Sequence, residues 1–117
     1  MNEDLRHFLP LSPAVLHILL CLAAEPQHGY GIMQEVARQS NGQYKLGPGT
    51  LYDNLQELMN QGLVEHASRQ SPDDDSRRRY YRLTACGRRV LEADVERLKN
   101  VIRVAAVRLR QPKPRRA

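Results

Sequence analysis

Tryptophan is missing from the 117 residues, phenylalanine occurs once, and the remaining aromatic rings are five tyrosines. A pocket that holds its ligand by stacking it between several rings has little to be built from. Two cysteines, Cys21 and Cys86, stand without a Cys-x-x-Cys pair or a histidine cluster beside them, which sets aside a disulfide framework and a structural zinc site. His17 and Cys21 share a helix face at i,i+4, but two ligands are too few for a metal, and packing is the expected role of such a thiol. No metal and no cofactor is expected. The strongest apolar run, Ala14 to Ala24, is shorter than the ~20 residues that a hydrocarbon layer requires. It follows a mixed N-terminus with Glu3 and Asp4 rather than a basic one, and no cleavage pattern trails it. No membrane partner and no signal peptide are read, so the chain is expected in the cytoplasm. Nowhere do His, Cys, Ser or carboxylate residues pair at a spacing that suggests nucleophile and base; an enzyme is not expected.

What is present is ordinary for a globular chain, with 41% apolar and 26% charged residues, and the length suits one domain with a modest core. The net charge of +5 is unevenly placed. Residues 97 to 117 hold eight Lys/Arg and no acid, which leaves ten basic against thirteen acidic side chains in the first 96 residues. An argument for nucleic acid must therefore rest on local placement of cations and not on the total.

Ser12-Pro13 is a helix start, a capping hydroxyl followed by proline at the first helical position. The first helix is expected from Pro13 to about Ala24, apolar on nearly every side, as in a core helix or one at a subunit contact. Glu25-Pro26 ends it. His28-Gly29-Tyr30-Gly31-Ile32 opens a second helix carrying Met33, Val36 and Ala37, and Ser40-Asn41-Gly42 reads as a turn. Gly47-Pro48-Gly49-Thr50 opens a third helix with Leu51, Leu55, Leu58 and Met59 on one side, and Gly62 is its left-handed cap. Two short strands around a polar loop then make a hairpin. In the second strand Arg79, Tyr81 and Leu83 are expected on one face, with Arg78, Tyr80 and Arg82 on the other. Thr84 caps a last helix whose Leu91, Val95, Leu98, Ile102, Ala105 and Leu109 form a heptad-like stripe. The stripe runs beyond anything in a compact monomer that could cover it, so it is expected to meet a second subunit. Pro112 and Pro114 stop the helix.

The fold class expected is mainly α with a small β-hairpin: a winged helix-turn-helix over residues 1–83, a dimerisation helix over 84–111 and a disordered basic tail over 112–117. In such a fold the third helix offers its N-terminal end to the major groove of double-stranded DNA. Gly49 and Thr50 leave backbone N–H groups open at the positive end of that helix. Tyr52 and Asn54 flank its outer face, Asn being able to pair with adenine edges, and Lys45 stands just before it as a phosphate contact. The outer face also carries Asp53 and Glu57, so it is no generic basic binder. Arg77, Arg78 and Arg79 suit contact with the DNA backbone or minor groove; neutralising Asp73, Asp74 and Asp75 in the same loop is the plainer alternative.

Taken in order, Leu11-Ser12-Pro13, His28-Gly29-Tyr30-Gly31-Ile32, Gly49-Thr50-Leu51-Tyr52 with Leu55 and Leu58, Gly62-Leu63-Val64, and Arg79-Tyr80-Tyr81-Arg82-Leu83-Thr84 resemble the PadR family of transcriptional regulators. The resemblance spans Leu11 to Leu91. It implies a sequence-specific DNA-binding repressor working as a homodimer, of the type with a short C-terminal helix region. It also implies Tyr30, Thr50, Tyr52 and the wing as DNA-side positions, and contacts of the last helix with the partner's first helix, where Leu16 and Leu19 are the positions assigned. Tyr30 as a packed seal between the first two helices is the competing role. A small-molecule effector that releases the DNA is left open as a further partner. The rival function is a winged-helix protein-interaction module, which the acidic face of the third helix favours.

Overall fold

The computed structural model describes residues 4–68 and 78–110. A short 3-10 turn, Arg6–Phe8, leads to α1 (Pro13–Ala24), β1 (Gln27–His28), α2 (Gly29–Gln39), α3 (Pro48–Asn60), β2 (Val64–Ala67), β3 (Tyr80–Leu83) and α4 (Ala85–Arg110). Both helix starts read from Ser12 and Thr84 are realised in hydrogen bonds. The Ser12 hydroxyl accepts from the Val15 N–H at 3.2 Å, with Pro13 at the first helical position. The Thr84 hydroxyl accepts from the Gly87 N–H at 2.9 Å and donates to the Gly62 carbonyl at 2.7 Å, which ties the start of α4 to the turn after α3.

Local backbone chemistry sets the turns. Asn41 (φ 55°) and Gly42 (φ 75°) take the left-handed conformation after α2, and the Ser40 hydroxyl donates to the Val36 carbonyl while accepting from the Tyr44 N–H. Gly62 (φ 76°) does the same for α3, and the Leu63 N–H closes back on the Leu58 carbonyl at 2.9 Å. That pattern satisfies carbonyls the helix leaves open.

The core joins Ile18, Leu19 and Leu22 of α1 to Ile32 and Val36 of α2, Leu51, Leu55 and Leu58 of α3, and Val90 and Leu91 of α4. Leu19 is fully buried and Leu91 is 6% exposed within one protomer. Both are packed within one protomer, on sides of their helices that the sequence pattern does not single out. The reason is geometric: an all-round apolar helix does not declare from sequence which side meets its own core.

The sheet has three strands, not the two of a simple hairpin, in the order β1-β3-β2 with β3 at the centre and both pairings antiparallel. β1 sets Gln27 against Tyr81 and His28 against Tyr80. Both faces of β3 are covered at its start, because Tyr80 (6% exposed) is buried as deeply as Tyr81 (5%). The His28 ring meets Tyr80 edge-on at 5.3 Å, covering the side that alternation assigns to solvent. Gly87 lets α4 approach the backbone just before β2: a β-carbon there would collide with the Leu63 carbonyl oxygen.

α4 is 26 residues long, about 39 Å at 1.5 Å per residue. Its first half packs on α1 and β3, whereas every residue from 101 to 110 is exposed. Among the described residues, no helix is long and apolar enough to cross a membrane, and no group of three or more His, Cys, Asp and Glu is placed to hold a metal.

Candidate nucleic-acid interface

α3 presents its first turn outward. Gly47 caps it with no side-chain bond and Pro48 occupies the first helical position, so the open backbone N–H groups there face solvent beside exposed Gly49 and Thr50. Lys45 is exposed in the segment leading in. Asn54 is half-buried and its side-chain amide donates to the Thr50 carbonyl at 2.9 Å, which leaves its oxygen and one amide hydrogen to read a base edge. No basic residue occurs between Pro48 and Asn60, and Asp53 and Glu57 are exposed on the outer face. Attraction for phosphates must be supplied from other elements.

That supply lies in a cleft of about 310 Å³ beside α3, lined by His28, Gly29 and Tyr30 from the β1–α2 junction, Tyr52 from α3, Arg78 and Arg79 from the approach to β3, and Tyr81 from β3 itself. Tyr30 is 58% and Tyr52 47% exposed. Gly29 is required by Tyr52, since a β-carbon at that position would run into the Tyr52 phenol. His28 caps α2 through its ring, Nδ1 accepting from the Gly31 N–H at 3.1 Å, and its Nε2 lies 3.3 Å from Arg78 Nη1. Burial, with the nearby Tyr52 phenol adding to it, pushes the Tyr81 hydroxyl above its usual value, while Arg79 pulls it the other way. On the far side of the sheet Arg82 is committed to Glu65 at 2.7 Å, so it is not offered to a ligand in the way Arg78 and Arg79 are.

Four of the residues expected on the DNA side, Tyr30, Tyr52, Arg78 and Arg79, are therefore gathered at one cleft. Gly49, Thr50 and Asn54 on α3, and Lys45 on the segment leading into it, do not line the cleft. Arg77, the acidic run at 73–75 and the basic tail lie outside the described residues. Sequence reasoning passed over His28, although a histidine immediately before a glycine-rich helix start is a capping position.

The stripe expected on α4 divides in two. Leu91 faces the core, Val95 and Leu98 are half-buried, and Ile102 (67% exposed), Ala105 and Leu109 (85%) are open. Val101, Val104 and Val107 widen the apolar surface around them. On α1, Leu16 is half-buried and Leu20 is 37% exposed.

Comparison with known proteins places these features in context. Residues 18–93 match the model of the transcriptional regulator PadR-like family. The chain is 39% identical over 88 residues to the transcriptional regulator Rv3488 of Mycobacterium tuberculosis, a match covering 75% of this chain and 78% of that protein. Its fold is similar to that of a PadR family transcription regulator from Clostridium difficile, with a TM-score of 0.67 and 24% identity over 84% of this chain and 99% of that one. A PadR-like transcription factor from Bacteroides fragilis superimposes with a TM-score of 0.58 and 28% identity, covering 78% of this chain and 87% of its counterpart.

Proposed function

Because the chain belongs to the PadR-like transcriptional regulator family, and is thus a DNA-binding regulator and not an enzyme, we propose that it is a cytoplasmic repressor that grips an operator as a homodimer. The observation that carries this reading is the cleft: two exposed tyrosines, two arginines and a histidine from three separate chain segments converge next to the open first turn of α3. In this arrangement α3 enters the major groove through Gly49, Thr50, Tyr52 and Asn54. Lys45 and the arginines 77 to 79 hold the flanking backbone.

The body over residues 1–83 is the reading head and the helix over 84–111 the dimerisation element. The bare apolar surface of Ile102, Ala105 and Leu109, continued by Val95 and Leu98, supports that division, and in the dimer it meets Leu16 of the second copy. An open hollow of about 450 Å³ along Leu91, Glu92, Val95, Glu96 and Lys99 lies on the same helix. Covered by a second copy, it becomes a pocket for a small-molecule effector that releases the DNA. Selection of bound duplexes from a random pool, followed by footprinting, tests the proposal. Paired half-sites about 34 Å apart, or a multiple of that, are expected; failure to retain any duplex at low salt would refute it.

The exposed Asp53 and Glu57 on α3 favour one rival, a winged helix whose third helix docks on a protein. A salt titration separates the two, because phosphate neutralisation makes log affinity fall linearly with log salt.

A further inference from the structure

A hydrogen bond inside α3 limits which base its outer face can read. The half-buried Asn54 donates from its side-chain amide to the Thr50 carbonyl at 2.9 Å. A main-chain carbonyl only accepts, so the amide turns its nitrogen to Thr50 and its oxygen away. One amide hydrogen is thereby spent, and what Asn54 has left is a single donor beside a single acceptor. Adenine shows the complement of that pair in the major groove, an N7 acceptor beside an N6 donor, whereas guanine shows two acceptors, N7 and O6. A loose amide can turn to offer both hydrogens to guanine; this one is held by its own helix. The neighbours narrow the choice in the same sense. Asp53 and Glu57 are exposed, with carboxylates that only accept. No Arg or Lys lies between Pro48 and Asn60, so the commonest guanine contact, a bidentate cation, is missing from the helix.

We propose that Asn54 is the specificity-determining residue of α3 and selects one adenine in each half-site of the operator, its oxygen accepting from N6 and its remaining N–H donating to N7. The inference rests on the DNA-binding reading above and adds a base identity to it. Thr50 serves here through its main chain, as the group that orients the reader. Gln56 is the other amide on the exposed face, and its nitrogen donates to the Asn60 side chain at 3.1 Å. Both of those side chains are exposed, so neither gives the other the fixed orientation that a backbone carbonyl gives Asn54.

The test uses a duplex selected by the wild type, with 7-deazaadenine replacing each adenine of a half-site in turn. This analogue keeps base pairing and the N6 amino group and lacks only the N7 acceptor. At one adenine per half-site the wild type should lose about tenfold in affinity. Asn54→Ala should bind the natural and the modified duplex there within about twofold, and should accept G·C at that position as readily as A·T. Its salt slope should stay the same, because no cation is removed. Alanine favours a helix more than asparagine does, so its thermal midpoint should not fall, and the scan on the wild type stands whatever the variant's stability. Gln56→Ala should keep the full sensitivity. A wild type indifferent to every 7-deazaadenine overturns the proposal yet leaves DNA binding intact. So does a sensitivity that survives in Asn54→Ala and vanishes in Gln56→Ala. A wild type that retains no duplex at low salt sinks the functional reading itself.

Discussion

The Tyr52 phenol of α3 occupies the space into which a β-carbon on Gly29 of α2 would project. Contact between the two helices here is made by the rim of an exposed side chain, which can swing aside, and not by backbone. Gly29→Ala should therefore leave stability within about 0.5 kcal/mol of the wild type in urea melts. Its affinity for DNA should drop by about tenfold as Tyr52 is displaced from the cleft. Gly87→Ala offers the contrast, since its β-carbon would meet the Leu63 carbonyl and Leu83. Neither neighbour can leave, so about 2 kcal/mol of stability should be lost.

The arginines entering β3 carry the charge that α3 lacks. Replacing Arg77, Arg78 and Arg79 together by alanine should weaken binding to all duplexes alike and reduce the salt slope by roughly 2 to 3. An unchanged slope in a salt titration would remove them from the interface.

Ile102 is 67% exposed, so Ile102→Glu costs a protomer nothing that it has. If α4 is the dimer contact, this variant should sediment as a folded monomer with unaltered helical circular dichroism. The half-buried Leu98 gives a stricter test, because Leu98→Glu should also lower stability. A persistent dimer in both would move the contact elsewhere.

Asp94 on α4 has no exposed surface, and among the described residues its partner is Arg97, whose Nε donates to Oδ1 at 2.7 Å. Oδ2 has no hydrogen-bond partner among the described residues. A buried carboxylate served on one side is costly. Arg97→Met should lose roughly 2 kcal/mol in urea melts, less than a fully buried pair would lose because the Arg97 side chain is 37% exposed. Asp94→Leu should equal or exceed the wild type, and the double variant should recover what Arg97→Met loses.

Burial pushes the Cys21 thiol up from 9.0 to about 11, with Glu35 and Glu25 adding to the shift. The unfolded chain releases this proton first. The stability that the protonated thiol contributes is therefore complete below pH 9 and declines as pH rises towards 11. Thermal midpoints of Cys21→Ala should fall less over that interval than those of the wild type. Under native conditions near pH 8, iodoacetamide should leave Cys21 unmodified by mass spectrometry.

How much of this was legible in the residues depends on how local each signal is. Ser12, Thr84, Gly42 and Gly62 act within four residues of themselves, and the helix starts and turns they imply are where the sequence puts them. A strand of two residues has no period to detect, so β1 was invisible, and with it the reason that Tyr80 is buried. Leu16 and Leu19 differ only by which side of α1 meets α2 and α4, which is a tertiary fact. The members of the cleft could be named singly from a resemblance, but the pairing of His28 with Arg78 needs β1 to lie against β3 and bring them together.

Two backbone pairings, Gln27 with Tyr81 and His28 with Tyr80, make the start of α2 and the arm carrying the arginines a single mechanical part. One cannot be re-aimed while the other stays still. Transplanting that arm from a relative with a different operator would have to bring residues 26 to 29 along with it, or the graft would arrive without its own tether.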